Sequence, residues 1–283
     1  MKTLLLIWNH PLSLNNRGAA FSRWLRWQFG SRLLKHPVMV PWIDSSVLVV
    51  EKGMTGATGN IYCGLHEFAD MGFLLHFLRE GDEFADIGAN IGSYSILSSF
   101  VVGAHTHAFE PLPSTFSKLL RNIAANSWMG VNRVTSYMAA VGERAGFVYF
   151  TSDRDTMNSV VGEDHNGPST KVPVMRLDDA LCHSETILWK IDVEGYEESV
   201  LLGAREQLSH VQLKAVMLET ETPKIISIME SFGFEKVSYD PLKRAFSSPS
   251  LLRIDNQLWV RDRQFCEARV KESRKYMINN FWL

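Results

Sequence analysis

No stretch of this 283-residue sequence approaches the roughly 20 consecutive apolar residues that a transmembrane helix needs, and it holds no internal repeat and no low-complexity tract. The apolar run in the opening MKTLLLIWNH stops at Asn9, His10 and Pro11. It is too short to span a bilayer and lacks the small-residue cleavage site of a secretory signal, so a buried strand is expected there instead. Cysteine is scarce. Cys63, Cys182 and Cys266 lie far apart, form no CxxC pair and are odd in number, which argues against a disulfide framework and for thiols in a reducing cytoplasm. No HxxxH or Cys/His cluster suggests zinc, and His105 and His107 alternate along a strand pattern as if lining one face. A formal net charge of -2 gives no bulk attraction to polyanions, so no nucleic-acid partner is expected.

Acid is nearly absent from the first 45 residues, where Asp44 stands alone against Lys2, Arg17, Arg23, Arg26, Arg32 and Lys35. The same segment is crowded with Trp8, Trp24, Trp27 and Trp42. Phe21, Trp24, Leu25 and Phe29 fall at helical spacing, which predicts a helix ending near Gly30. Such a helix would either pack on the main domain or meet a lipid-linked or anionic substrate.

What is present in quantity is apolar and periodic. With 46% hydrophobic and 21% charged positions, the chain has enough apolar surface for one large α/β domain with an appendage. From residue 66 onward helical and strand patterns alternate: a helix over 67–80, a strand over 82–88, a helix after the glycine loop, a strand in HTHAFEP, and a helix over 114–126 with Ser114 as N-cap. A third strand around 134–141 leads into a hairpin, VGERAGFVYF. Later come ETILWKID at 185–192, a helix over 197–208, a strand over 213–219, a helix over 223–232, and strands near 234–239 and 257–261. Alternation of this kind predicts an α/β fold with a doubly wound, mainly parallel sheet, whose ligands bind at the carboxyl edge of the strands. The polar stretch 151–174 reads as a solvated loop or as a lid on the acceptor, with Asn158 as its residue of interest and His165 close by.

The first strand, its glycine loop and the following helix form the segment DIGANIGSYS at 86–95. A dinucleotide loop would be G-x-G-x-x-G, so that backbone amides can approach a pyrophosphate. Here Asn90 replaces the middle glycine and Asp86 puts a carboxylate at the loop's root. A fixed negative charge there repels phosphates and suits a cationic ligand, such as the ammonium and sulfonium of S-adenosylmethionine. Glu110 ends the next strand, where a carboxylate can accept hydrogen bonds from both ribose hydroxyls. A nicotinamide-dependent oxidoreductase and a non-catalytic nucleotide-binding module with the same fold are the rival readings; Asp86 and the missing glycine speak against the first.

DIGANIGSYSI, then AFEP at 108–111, LLRNIAAN at 119–126, AAVGE at 139–143 and WKIDVEGYEESVLLGA at 189–204 together resemble the FkbM family of S-adenosylmethionine-dependent methyltransferases, over about 64–261. The resemblance implies a class I Rossmann-like methyltransferase fold with a seven-stranded sheet, and transfer of a methyl group to a hydroxyl oxygen, often of a sugar in a glycan, glycolipid or glycosylated natural product. It implies a small-molecule or glycan acceptor; the scarce cysteines point to a cytoplasmic enzyme, and the basic, aromatic first 45 residues to peripheral contact with a membrane-linked substrate as the alternative to packing on the core. By position, Asp86, Gly88, Asn90 and Gly92 would surround the cofactor's methionine end and Glu110 would bind ribose. Leu112 would flank the adenine, with backbone contacts from Ala140. The corresponding division of the chain is an amino-terminal basic and aromatic segment over 1–65, the methyltransferase domain over 66–262 and a helical tail over 263–283.

The chemistry leaves the protein two tasks, to position the acceptor and to handle one proton, because a sugar hydroxyl is a poor nucleophile at neutral pH. Asp192 and Glu194 in KIDVEGYE are the expected catalytic pair, with Asp192 as proton acceptor. A strand running through 194 would put both on one side, with Lys190 as a possible partner of Glu194. Glu219, ending the next strand, is a third candidate. No metal site is assigned, although Asp192, Glu194 and Glu219 could together hold a divalent ion beside the acceptor oxygen.

Overall fold

A computed structural model describes residues 2–34, 36–127, 133–151, 160–161, 167–249 and 256–283. Asn158 and His165 lie outside them. The main sheet has eight strands, numbered along the chain β1 (Glu83–Ile87), β2 (His105–Phe109), β3 (Val134–Tyr137), β4 (Thr186–Ile191), β5 (Ala215–Leu218), β6 (Glu235–Asp240), β7 (Ala245–Ser247) and β8 (Gln257–Val260). Their spatial order is β7-β6-β8-β5-β4-β1-β2-β3. The five strands from β3 to β5 are parallel, and β8 runs antiparallel between β5 and β6. This is the doubly wound sheet expected. The eighth strand, β7, is a short edge strand that hairpins onto β6.

The sheet separates two apolar layers, as the burial of both faces of a parallel sheet requires. On one side Phe73, Phe77, Phe84 and Leu97 join the helix Phe68–Phe77 to the sheet. On the other, Trp189, Val200, Val216 and Ile225 do the same for the helices Glu197–Leu202 and Pro223–Ser231. Each central strand is buried on both faces, so its sequence is mostly apolar without alternation, interrupted inside only by Asp86 in β1 and Lys190 in β4.

Several local elements differ from the sequence reading. The opening run forms a helix, Lys2–Asn9, rather than a strand; a run that short carries no periodicity to choose between the two, and contact with the next helix decides it. That next helix runs Arg17–Leu33, straight through Gly30, with Asn16 as its N-cap. The helix Pro113–Asn126 starts one residue before Ser114, because Pro113 occupies the first helical position, where its missing N–H costs nothing. The helix after the glycine loop is α-helical only over Ser93–Ile96 and continues as a π-helix over Leu97–Val102.

The stretch after β3 is a second sheet, not a hairpin followed by a loop. Gly146–Thr151 pairs antiparallel with Ser169–Met175, and Ala140–Val141 pairs parallel with Val174 and Met175. At the carboxyl end, the helix Arg263–Lys271 is followed by a short hairpin, Met277–Ile278 with Phe281–Trp282.

The strand Val47–Val50 is tied to the main domain by two asparagines on one face of the helix Pro113–Asn126. Asn122 accepts from the Val49 N–H at 2.7 Å and donates to the Ile91 carbonyl at 3.0 Å; Asn126 accepts from the Val47 N–H and donates to its carbonyl, both at 2.9 Å. Asn122→Ala leaves the buried Val49 N–H and Ile91 carbonyl unsatisfied. It is expected to cost about 2–3 kcal/mol, read as a lowered urea midpoint with unchanged slope.

Candidate functional site

Register assembles the site. Ile87 of β1 lies opposite Phe109 of β2 and Ile191 of β4, and Ile191 lies opposite Leu218 of β5. The residues that follow, Gly88, Glu110, Asp192 and Glu219, therefore stand side by side along one carboxyl edge. Backbone bonds carry the ladder past the strand ends: Gly88 N–H to the Phe109 carbonyl at 3.0 Å, Asp192 N–H to Ile87 at 3.0 Å and Glu219 N–H to Ile191 at 3.3 Å. They open onto a cavity of about 360 Å³, in the range of small-ligand sites. One wall is the loop from Gly88 to Ile91, a second is Met54, Ala57 and Asn60 of the segment around the helix Thr55–Cys63, and a third is Ala140, Val141 and Phe150 of the second sheet.

Glu110 lines this cavity although only 6% exposed. One carboxylate oxygen accepts the Asn90 N–H at 3.1 Å and the other accepts the Leu112 N–H at 2.9 Å, so the loop and the start of the next helix orient it from both sides. Each oxygen keeps a lone pair for a ligand. Burial pushes its carboxyl up to about 7, with the two N–H bonds opposing. Asn90 and Leu112 line the cavity beside it, and Ala140 faces it from the second sheet. Gly88 is on the wall at a φ of +82°. Asp86 and Gly92 lie behind the wall. Asp86 is 1% exposed; Oδ2 accepts from Ser95 Oγ at 2.6 Å, and Oδ1 has no hydrogen-bond partner. Burial raises the Asp86 carboxyl, with Lys190 and Ser95 partly offsetting it.

A further functional residue, which the sequence marks as a cation inside the buried strand TILWKI, is Lys190. Its ammonium bonds Asp192 Oδ2 at 2.5 Å and sits 4.6 Å from the centre of the Tyr94 ring. Tyr94 in turn donates to Glu67 at 2.7 Å, and Glu67 also lines the cavity. Burial opposes charge on Lys190, but Asp192, Glu67 and Asp86 outweigh it and raise its pKa. Burial would also raise Asp192; the adjacent ammonium outweighs that and holds the carboxyl below its ordinary range. Glu219, exposed at the cavity rim, is nonetheless pushed up to about 8, by desolvation of its inner side and by the Asp192 charge to which it hydrogen-bonds.

The expected pairing of Asp192 with Glu194 takes a different form. β4 ends at Ile191, and Glu194 sits in a turn at a φ of +51°, fixed by Glu197, which accepts the Val193 and Gly195 N–H groups at 3.4 and 3.2 Å. Strand alternation therefore does not reach Glu194, and Lys190 pairs with Asp192 instead. Even so, Asp192, Glu194 and Glu219 can each offer an oxygen within 4.8 Å of the others. His105 and His107 stay together on β2, ring centres 5.0 Å apart, away from this cluster.

The sequence model of a family described as Methyltransferase FkbM domain matches residues 86–236. Among curated proteins, the chain is 28% identical over 218 residues to the 31-O-demethyl-FK506 methyltransferase FkbM of Streptomyces tacrolimicus, covering 62% of this chain and 82% of that one. It is 29% identical over 147 residues to the hexuronic acid methyltransferase AglP of Haloferax volcanii, covering 50% of this chain and 58% of that one. Among solved structures, the precorrin-6y C5,15-methyltransferase of Geobacter metallireducens aligns with 75% of this chain and 91% of its own, at 14% identity and a TM-score of 0.40.

Proposed function

Because the chain belongs to the FkbM methyltransferase family, with a class I Rossmann-like fold, we propose that it transfers the methyl group of S-adenosylmethionine to a hydroxyl oxygen of a sugar, in a glycan, glycolipid or glycosylated natural product. The observation that carries this reading is the alignment of Glu110, Asp192 and Glu219 on one strand edge around a single cavity. The two curated relatives, one acting on 31-O-demethyl-FK506 and one on a hexuronic acid by their names, support an oxygen acceptor. The residues over 66–262 form the catalytic domain on this reading. Three cysteines that are free thiols suit the cytoplasm.

The cavity fits the cofactor. Glu110 would hold the ribose, Leu112 and Ala140 would flank the adenine, and the Gly88-to-Gly92 loop, with Asn90 in it and the buried Asp86 carboxyl behind it, would take the methionine end. The Cβ that Gly88 lacks would fill the narrow approach of this loop to the Asp192 carbonyl. S-adenosylmethionine supplies a methyl group already activated by a sulfonium. The protein's part is to hold the acceptor hydroxyl in line and take its proton, which falls to Asp192 and Glu219 at the cavity rim. Glu194 would contact the acceptor from the bend after β4.

Turnover of methyl-labelled cofactor against a panel of glycans tests the reaction; a mass gain of one methyl on a defined sugar is expected. Calorimetry with S-adenosylhomocysteine and with NAD tests the cofactor: the first is expected to bind and the second is not. Glu110→Ala is expected to weaken S-adenosylhomocysteine about ten- to a hundredfold, the loss of a charge-assisted hydrogen bond being about 1.5–3 kcal/mol. Affinity should also depend on pH. The ribose hydroxyls donate to the ionised carboxylate, and Glu110 is pushed up to about 7, so affinity rises as pH rises toward that value and levels off above it. Unchanged affinity in Glu110→Ala would sink the ribose assignment.

A further inference from the structure

Exposed large apolar side chains are concentrated in the amino-terminal segment. Of the seventeen large hydrophobic side chains exposed among the described residues, nine lie at or before Met39. In the helix Arg17–Leu33 the inward face is ordinary: Ala20 and Trp27 are buried, and Arg23 donates to the Tyr62 carbonyl at 2.9 and 2.7 Å. The outward face is not. Phe21, Leu25, Phe29 and Leu33 recur every four residues and so form one stripe, in which Phe21 is 44%, Phe29 67% and Leu33 81% exposed. A surface helix normally turns such a stripe to the core; this one turns it to solvent.

The charge beside the stripe has one sign. Arg26 and Arg32 are exposed on the same helix, and no aspartate or glutamate precedes Asp44 in the chain. Trp8, 58% exposed on the preceding helix, has the Arg17 guanidinium 4.6 Å from its ring centre. Aromatic and aliphatic side chains flanked by arginines match an acyl boundary under anionic headgroups. A purely apolar protein partner would leave the unbalanced cations unanswered.

We propose that this face docks on an anionic lipid bilayer, with the helix Arg17–Leu33 lying in the interface plane. No helix among the described residues is long and apolar enough to cross a membrane, so the contact is peripheral. The docked face is one helix away from the cavity: Thr55–Cys63 packs on Arg17–Leu33 through Ala57, Cys63 and Trp27, while Met54, Ala57 and Asn60 line the cavity. An acceptor anchored in the same bilayer would thus be held close to the cavity. That consequence rests on the methyl-transfer reading; the docking itself does not.

The test is co-sedimentation of the full chain with vesicles of phosphatidylglycerol and phosphatidylcholine, and with phosphatidylcholine alone. Binding to the anionic vesicles is expected, weakened by added salt. The triple variant Phe21→Gln, Phe29→Gln, Leu33→Gln keeps good helix formers and touches nothing in the cavity. It is expected to bind at least about a hundredfold more weakly, from the loss of three interfacial side chains, with unchanged circular dichroism. Arg26→Gln with Arg32→Gln, a second folded control, should weaken binding to anionic vesicles alone. The proposal is overturned if the wild-type chain stays in the supernatant with anionic vesicles, or if the triple variant binds as well as it does. It is likewise overturned if sedimentation velocity shows a wild-type dimer that the triple variant splits, which makes the stripe a contact between two copies. S-adenosylhomocysteine affinity, measured on the same samples, reports separately on the methyl-transfer reading.

Discussion

Glu219→Gln is expected to lower kcat at least about 10²-fold while leaving S-adenosylhomocysteine affinity nearly intact, the loss being that of a general base. Lys190 holds Asp192 ionised, and Glu219, pushed up to about 8, shares its proton with that carboxylate. At neutral pH the two carboxyls therefore hold one proton between them and titrate as a pair. The second deprotonation leaves a base near the working pH, which is where proton abstraction from a hydroxyl is most effective. kcat is accordingly expected to rise with pH and reach a plateau above about 8, and this limb should vanish in Glu219→Gln. Asp192→Asn should lose at least as much in kcat and also melt earlier, because it strips the buried Lys190 of its nearest counter-ion. If Glu219→Gln turns over normally while Glu194→Gln is inactive, the proton goes to Glu194. If a chelator abolishes turnover and Mg²⁺ or Mn²⁺ restores it, the three carboxylates are metal ligands.

The main sheet was legible because its strands and helices differ in period: TILWKI and AVML are short, mostly apolar runs bounded by turns, whereas the helix over 114–126 repeats every three to four residues. Where the run was short and flanked by polar residues, as in LLLIWN, period said nothing, and packing against the helix Arg17–Leu33 determined the outcome. The second sheet was missed because Ser169–Met175 pairs with Gly146–Thr151 across a polar stretch, and such non-local pairing leaves no local mark.

At the site, each carboxylate was individually visible as the residue that ends a strand. Their partnership was not. Whether Lys190 faces Asp192 or Glu194 depends on where β4 stops, and that is decided by Glu197 bonding the turn at Val193 and Gly195. Whether Glu219 reaches Asp192 depends on the register of Ile191 against Leu218. A one-residue slip would turn Glu219 to the other face of the sheet and leave Asp192 without it.

Gly88→Ala is expected to be the most damaging single substitution in the cofactor loop. Gly88 has a φ of +82°, and a Cβ there would stand 1.9 Å from the Asp192 carbonyl oxygen and 2.9 Å from its carbon. The obstructing atoms are backbone, so no side chain can swing aside. Relief requires the ends of β1 and β4 to part, and those ends carry the loop on one side and Asp192 on the other. Gly81→Ala is the matched control, because Gly81 has a φ of +84° and no atom within 4 Å of its Cβ position. The control should show the left-handed backbone penalty alone, roughly 1–2 kcal/mol, with cofactor affinity unchanged. Gly88→Ala should lose more than about 4 kcal/mol in urea denaturation. In the fraction that remains folded, S-adenosylhomocysteine should bind at least about 10²-fold more weakly, since displacements near 1 Å have effects of that size. Should Gly88→Ala instead melt with Gly81→Ala and bind S-adenosylhomocysteine normally, the close approach of the loop to the Asp192 carbonyl has no part in holding the cofactor, and the placement of its methionine end at this loop falls with it.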